Sequence, residues 1–201
     1  MTISSPRTRA ASSLSLVLRP RAPFRLDLTV WALRRRGLNE IDAWDGSTYR
    51  RVLVFDNTPV EVAVTQKDEA EAPALLVTLK SAGKQQRNAR PKVSAALDKM
   101  LSLKLDIDPF YALAEGDPAL APLAERFRGL RPPRFASAFE CLVNAVALQQ
   151  LSLAAGLTLL NRLSRTYGSC TSAREIARTR SRNQPNWLRP NQSPFARLVS
   201  A

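Results

Sequence analysis

Apolar and polar residues alternate along several short runs in residues 1–90, which is the pattern of β-strands with one buried face. The runs predicted as strands cover residues 24–28, 51–55, 60–65 and 75–79. Between the second and third runs, Asp56-Asn57-Thr58-Pro59 is rich in turn-forming residues and predicts a β-hairpin. Residues 81–90 are polar and predict a loop. The first part of the chain therefore predicts a small antiparallel sheet.

Helical periodicity replaces this alternation at Pro91. The apolar positions of the first predicted helix are Val93, Ala96, Leu97, Met100 and Leu101. A second helix is predicted to begin at Asp117-Pro118 and to end at residues 131–133, which include two prolines. Its inward-facing residues are predicted to be Leu120, Leu123, Ala124 and Phe127.

A longer helical stretch is predicted from about residue 136, with a break around residues 149–152 and an end at Tyr167-Gly168. The order of a sheet followed by helices predicts an α+β fold. The predicted boundaries are a disordered basic arm, an antiparallel sheet plus helix domain, a helical domain and an irregular basic tail. These four parts cover residues 1–22, 23–115, 116–168 and 169–201.

Composition narrows the chemistry that the chain can perform. The sequence has no histidine, which excludes Ser/His and Cys/His nucleophile pairs and histidine-ligated metals. Cys141 and Cys170 lie far apart, so neither a disulfide framework nor a thiolate zinc site is indicated, and a reducing intracellular compartment fits best. The net charge is +13, and most of the excess lies in the two terminal segments. A polyanion such as DNA is therefore the predicted partner.

Two segments raise the question of targeting or membrane insertion. Residues 1–22 are rich in Arg and Ser and lack acids, a composition shared by disordered basic arms and organellar transit peptides. We favour the arm, with a transit peptide as the alternative. Residues 141–160 carry no charge over a length that could span a bilayer, but Asn144, Gln149 and Gln150 argue against a span. The sequence predicts no membrane association and a location in the bacterial cytoplasm or nucleoid.

Several short motifs occur in a fixed order between residues 44 and 152. The residues are Trp44-Asp45-Gly46, Tyr49-Arg50-Arg51, and the segments at 105–111, 129–134, 139–146 and 149–152. With them, residues 23–168 resemble DNA-3-methyladenine glycosylase II, a family of the helix-hairpin-helix DNA glycosylase superfamily. The resemblance implies an N-terminal antiparallel sheet domain with helices, followed by the first part of an all-helical glycosylase domain.

The function implied by the resemblance is base excision repair. Enzymes of this family act on double-stranded DNA with alkylated bases such as 3-methyladenine, flip the damaged nucleotide and hydrolyse its N-glycosidic bond. The resemblance implies a monomer that uses no metal and no cofactor. Gln150 matches the position of the side chain that fills the gap left by the flipped base, and Gln149 stands beside it. The alternative is that both glutamines only cap or bridge helix ends, and for Gln149 we favour a structural role.

Further DNA contacts are predicted in residues 31–36. Trp31 could stack on an alkylated base in the pocket, although packing in the core is the favoured interpretation. Arg34, Arg35 and Arg36 could contact phosphates, or could form a solvated charged surface.

The sequence departs from the family after Gly168. No glycine follows Gly168 and no Asp follows Asp117, so these residues contain neither the glycine-rich hairpin nor the essential Asp of the family. That carboxylate is needed because loss of the base leaves a cationic, oxocarbenium-like sugar. The other carboxylates considered, none of which matches the catalytic position, are Asp106, Asp108, Glu115 and Glu140.

We therefore expect no catalytic residue in this chain, and a truncated or frameshifted product that is inactive as a glycosylase. The alternatives are a non-catalytic DNA-binding module and an unstable remnant, which thermal melting would distinguish.

Overall fold

The β-hairpin predicted around residue 56 is present and lies at the centre of the sheet. In the computed structural model, which describes residues 13–81 and 86–168, the turn consists of Asp56 and Asn57 with φ of 49° and 58°. Two successive positive φ values match the right-handed twist of the strands, and Asp and Asn tolerate them best after glycine. The turn joins β3 to β4 in antiparallel register, with Phe55 opposite Thr58.

Five strands and six helices make up the described residues. The strands are β1 (Ser13–Leu18), β2 (Ala43–Trp44), β3 (Thr48–Phe55), β4 (Thr58–Gln66) and β5 (Leu75–Ser81). The helices are α1 (Leu26–Arg34), α2 (Gln86–Leu101), α3 (Asp108–Glu115), α4 (Ala121–Arg126), α5 (Ala138–Leu148) and α6 (Leu153–Tyr167). The strands form one antiparallel sheet in the order β1-β5-β4-β3-β2, which confirms the predicted α+β class.

The main core lies on one face of this sheet. Alternate residues of β4 and β5 are buried, as the period of a strand requires. Against them pack Val30 and Leu33 of α1 and Val93, Leu97 and Met100 of α2. This sheet and its two helices therefore form the supporting body of the molecule.

The strand predicted over residues 24–28 is wrong, because the chain forms helix α1 from Leu26. Leu26, Val30 and Leu33 share its buried face at helical spacing, and Asp27 carries a favourable negative charge in the first turn. The five residues of the prediction were too few to separate a period of two from one of 3.6. Phe24, which completed the apparent alternation, lies before the helix and is buried independently.

The predicted disordered arm is also wrong in part, because residues 13–18 form strand β1. β1 pairs with β5 along its whole length, from Ser13 opposite Lys80 to Leu18 opposite Leu75. The serines that interrupt the apolar run occupy alternate positions, which is the period of a strand with one solvated face. Residues 1–12 and the predicted tail at 169–201 lie outside the described residues.

Two helix predictions need smaller corrections. Helix α2 begins at Gln86 and contains Pro91, so the predicted loop ends earlier than residue 90. In the α4 region, Leu120 and Leu123 were predicted to face inward but are exposed. Helix α4 is only six residues long and buries none of its own residues.

The long C-terminal helical stretch is confirmed as two helices that break where predicted. Helix α5 ends at Leu148, α6 begins at Leu153, and Gly168 is the C-cap of α6. The two helices approach closely at Gly156, where an added Cβ would stand 2.4 Å from Cδ2 of Leu148. The charge-free run is thus divided by a turn, and no helix in the described part of the chain is long and apolar enough to cross a membrane.

Asp45 organises the turn between β2 and β3 and supports a pH-dependent prediction. Its Oδ1 accepts hydrogen bonds from the backbone N–H groups of Ser47 and Thr48 at 3.1 and 2.9 Å, and Oδ2 pairs with Arg50. Partial burial alone would raise the pKa of Asp45, but Arg50 and the two N–H donors outweigh it and hold the pKa at about 2.

Because this pKa is depressed in the folded state, the stabilisation by Asp45 is complete above about pH 4 and is lost as the pH falls towards 2. We expect Asp45→Asn to lower the free energy of unfolding by about 1–2 kcal/mol near neutral pH, after allowance for solvent screening. Urea unfolding of both proteins across this pH range is the measurement. A difference that does not shrink on acidification would contradict the assignment.

Candidate nucleic-acid interface

The turn between α5 and α6 presents both predicted glutamines to solvent. Gln149 is the C-cap of α5, and its N–H donates to the carbonyl of Ala145 at 3.1 Å. Gln150 has a φ of 56°, a left-handed backbone conformation that costs a non-glycine residue about 1 kcal/mol or more. Ser152 caps α6 and accepts a hydrogen bond from the N–H of Ala155 at 3.2 Å. The turn is thus short and held at both ends.

Helix α5 has an unusual distribution of polar and apolar residues. Its inward face carries Glu140, Asn144 and Ala147, at the i, i+4 and i+7 positions of one helical stripe. The large apolar side chains exposed on α5 and α6 are Phe139, Leu142, Val146, Leu159, Leu163 and Tyr167. An exposed apolar surface of this kind marks a binding surface or a liability to aggregation.

A loop of the sheet domain holds the α5–α6 hairpin in place through hydrogen bonds. The N–H of Glu40 donates to Asn161 Oδ1 at 3.0 Å, and Asn161 Nδ2 donates to the carbonyl of Leu38 at 2.7 Å. Arg165 of α6 pairs with the Glu40 carboxylate, with Nε 2.9 Å from Oε2. The apolar contribution to this junction is a small cluster in which Ile41 packs against Ala147, Leu157 and Leu160, together with Val143 and Leu153.

A buried ionic cluster forms a second connection between the sheet and α5. Arg51 of β3 donates from Nη1 to Asp42 Oδ1 at 2.8 Å and from Nη2 to Glu140 Oε2 at 2.6 Å. The hydroxyl of Tyr49 donates to the same Asp42 oxygen at 2.8 Å. Asn39 Nδ2 lies 3.3 Å from the other oxygen of Asp42. Asp42 therefore accepts three hydrogen bonds away from solvent.

The electrostatics of this cluster follow from burial and opposite charge. Burial raises the pKa of Tyr49 well above its usual value of 10, and the Asp42 carboxylate raises it further. Burial alone would lower the pKa of Arg51, but Asp42, Tyr49 and Glu140 outweigh that effect and raise it. The guanidinium of Arg51 is therefore a permanent buried cation between two carboxyl groups.

The three consecutive arginines predicted to contact phosphates occupy three different environments. Arg34 is buried, and its Nε and Nη2 donate to the carbonyls of Asp42 and Gly37 at 2.9 and 3.0 Å. Burial lowers its pKa, opposed by Asp42. Arg34 is less suited to a phosphate contact than its two neighbours, because its guanidinium is buried and already donates to two backbone carbonyls.

Arg35 and Arg36 differ from Arg34 and from each other. Arg35 donates from Nη2 to Asn144 Oδ1 at 2.6 Å, and its guanidinium carbon lies 5.6 Å from the centre of the Phe135 ring. Arg36 is exposed. Of the predicted phosphate contacts, Arg36 presents its charge most openly to solvent.

Trp31 and the candidate carboxylates also have definite neighbours. The Trp31 ring is half-buried and stacks on Phe127 with ring centres 6.5 Å apart, the geometry of packing. Asp106 and Asp108 form ion pairs with Arg21 at 3.0 and 2.8 Å. Glu140 belongs to the buried cluster, and Glu115 is exposed at the end of α3.

Sequence reasoning missed the main polar residues of this junction. No recognisable motif contains Asp42, Asn161 or Asn39, and Glu140 fits the pattern of an ordinary residue on a helix face. The only available signal was the sequence segment Tyr49-Arg50-Arg51, in which a strand places an aromatic and a cation on its inward face. Within residues 13–81 and 86–168, no group of three or more acidic or cysteine side chains could hold a metal ion.

Comparison with known proteins agrees with this architecture. The family model described as the AlkA N-terminal domain matches residues 15–137, which end immediately before α5. A solved structure, the 3-methyladenine DNA glycosylase from Archaeoglobus fulgidus, is similar with a TM-score of 0.62 at 19% identity. The similarity covers 76% of this chain and 50% of that chain, so the present chain spans half the length of the solved relative. No curated protein matches the chain significantly.

The family match covers β1 from its third residue, strands β2 to β5, and helices α1 to α4. The structural similarity independently supports the same α+β fold. The resemblance found in the sequence is thereby confirmed at the level of the family. The chain belongs to the AlkA N-terminal domain family.

Proposed function

We propose that this chain forms the DNA-recognising half of a base excision repair glycosylase that acts on alkylated bases in duplex DNA. The observation that carries this proposal is the exposed α5–α6 turn, with Gln150 at its left-handed position. Gln150 is the wedge that enters the stack when a nucleotide is flipped, and Gln149 ends α5 as a structural residue. The solved relative is a 3-methyladenine DNA glycosylase, which favours alkylated purines as the target class.

The chemistry of an amide suits this role. A flipped nucleotide leaves an empty space beside an unpaired partner base, and refilling that space reduces the cost of unstacking. The glutamine side chain is long enough to enter the space, and it offers both a donor and an acceptor to the partner base. A turn that is capped on both sides holds the backbone of the wedge in place, which reduces the conformational entropy lost on binding.

The charge of the chain supports contact with the DNA backbone. The net charge of +13 favours association with phosphates, and exposed Arg36 lies two residues after the end of α1. Because counterion release drives such binding, we propose that the affinity falls steeply with salt. This part of the interaction is independent of sequence and positions the protein for the search.

We propose that base excision itself requires groups that these residues lack. The four carboxylates considered earlier have structural explanations or exposed positions, and none lies beside Gln150 in sequence. Purified chain is expected to release no 3-methyladenine from alkylated duplex DNA above a control without protein. Release above that control would make Asp106, Asp108 and Glu140 targets for mutagenesis. A cooperative thermal transition should precede this assay, since the apolar surface of α5 and α6 also fits an unstable remnant.

The test of the wedge compares two neighbouring glutamines. We expect Gln150→Ala to weaken binding to a duplex that contains an abasic-site analogue by about tenfold, equivalent to ~1.4 kcal/mol. Its affinity for intact duplex should change little, because phosphate contacts dominate there. Gln149→Ala is the matched control, since its side chain is exposed next to Gln150 but its backbone ends α5. Fluorescence anisotropy at one fixed salt concentration is the measurement, and equal effects of both variants would reject the wedge.

A further inference from the structure

The junction between the sheet domain and α5 includes charged and polar contacts, which is unusual for the inward face of a helix. Glu140 and Asn144 hydrogen-bond to Arg51 and Arg35 at 2.6 Å each, beside the apolar contacts of Val143 and Ala147 in the Ile41 cluster. Asn144 is buried, and its Nδ2 donates to the Glu140 carbonyl at 2.9 Å. Apolar packing tolerates sliding, whereas hydrogen bonds to charged groups require one distance and one direction. The junction therefore defines the orientation of α5 sharply.

The geometry of α5 carries this orientation to the DNA-binding turn. Glu140 lies in the first turn of the helix, and Gln150 follows two residues after its last residue. The eight residue steps from Glu140 to Leu148 span about 12 Å, so a tilt of about 10° at one end would move the other by ~2 Å. A displacement of that size removes a side chain from hydrogen-bonding distance.

Arg51 is held from two sides. Asp42, Tyr49 and Arg51 all belong to the sheet domain, and Arg51 alone reaches across to Glu140. Its side chain is only 7% exposed, and its Nε has no hydrogen-bond partner among the described residues. The guanidinium cannot leave Glu140 without leaving that carboxylate partly buried and unpaired, which is costly.

We propose that the Asp42–Arg51–Glu140 chain positions the α5–α6 turn, and through it Gln150, for insertion into duplex DNA. Arg51 and Glu140 are positioning residues, since neither is placed in contact with DNA. This inference rests on the wedge proposed above. The ion pair between Arg51 and Glu140 at one end of α5 thereby controls the insertion of Gln150 at the other end.

The test measures insertion and binding separately. The full chain is titrated into a duplex that carries 2-aminopurine opposite an abasic-site analogue, and the fluorescence change at saturation reports the environment of the unpaired base. Binding to an intact duplex is followed by anisotropy at the same salt concentration. Glu140→Gln removes the charge of the positioning residue but preserves its size, and Glu125→Gln on exposed α4 is the matched control.

We expect Glu140→Gln to reduce the fluorescence change at least threefold while its affinity for intact duplex stays within about twofold of the parent. Glu125→Gln should match the parent in both measurements. The double variant Glu140→Gln/Gln150→Ala should lose no more signal than Gln150→Ala alone, because both changes act on one event. A general loss of structure would instead lower both measurements.

A second variant protects the test against poor folding of the first. Arg51→Lys retains the buried positive charge but has a single nitrogen, which cannot bond Asp42 and Glu140 with the geometry of a guanidinium. It should also reduce the fluorescence change at least threefold.

Two results would overturn the inference, and they are distinguishable. If Gln150→Ala loses the signal but Glu140→Gln and Arg51→Lys retain it, the wedge stands and the positioning role is wrong. If the parent gives no signal, or Gln150→Ala gives the full signal, the wedge itself is wrong and the positioning role falls with it.

Discussion

Arg131→Ala is expected to lower the free energy of unfolding by about 3–5 kcal/mol. The side chain is completely buried, although arginine is among the residues least often found inside proteins. Nη2 donates to the carbonyls of Arg21 and Pro23 at 2.6 and 3.1 Å, and Nη1 donates to that of Leu105. Alanine would leave three carbonyls without this donor and a cavity where the side chain stood.

The position of Arg131 in the chain makes the effect large. The segment that it binds at residues 21–23 leads into α1, and its own N–H donates to Thr29 Oγ1 of that helix at 3.1 Å. Arg131 therefore connects the start of the core helix to the loop at Leu105. Thermal melting and urea unfolding are the measurements, with a fall in Tm of about 10 °C expected.

Arg134→Ala is the control for this prediction, since Arg134 is exposed three residues away. It should change the free energy of unfolding by less than about 0.5 kcal/mol. Arg131→Lys should fall between the two, because one ammonium group cannot serve three carbonyls in different directions. A value for Arg131→Ala within about 1 kcal/mol of the parent would contradict the structural role.

Asp42→Ala should destabilise the protein by a similar amount, about 3–5 kcal/mol, for a different reason. Asp42 neutralises part of the charge of Arg51 and accepts from Tyr49, both at 2.8 Å in buried surroundings. Its removal would leave a buried cation with Glu140 as its only ionic partner and a buried phenol without an acceptor. The free energy of unfolding in urea measures this effect.

Tyr49→Phe separates the two contributions. Loss of the hydroxyl removes one donor from Asp42, which still accepts from Arg51 and Asn39, so a cost of about 1 kcal/mol is expected. Equal costs for Tyr49→Phe and Asp42→Ala would show that the charge on Asp42 adds nothing. Because burial raises the pKa of Tyr49, its phenol should also remain neutral in alkaline solution where exposed tyrosines ionise.

The elements predicted correctly share one property, which is that local residues decide them. The β3–β4 hairpin follows from the Asp56-Asn57 turn and the alternation on both sides of it. The break between α5 and α6 follows from the polar residues at 149–152, with Ser152 as an N-cap. In both cases the signal and its structural consequence lie within a few residues of each other.

The wrong predictions arose where a short stretch of sequence fits more than one structure. Residues 24–28 alone fit the alternation of a strand. When the stretch is extended to Leu33, the buried residues Leu26, Val30 and Leu33 show the spacing of a helix. Strand β1 lacked a visible partner, since its pairing strand β5 lies about sixty residues later in the chain. The alternation of serine and leucine in β1 is assigned to a strand only once Leu16 is seen to pack into the core of the sheet.

The family, the α+β class, the hairpin, and the glutamine turn between two helices can be read from the sequence, because they depend on local periodicity and short motifs. Which charges are solvated and which are buried emerges only when the chain is folded. Arg34 and Arg36 are two residues apart, yet only Arg34 is enclosed. Arg51 meets Glu140 across 89 residues of sequence. Burial and ion pairing depend on the elements that pack around a side chain, and those elements come from distant parts of the chain.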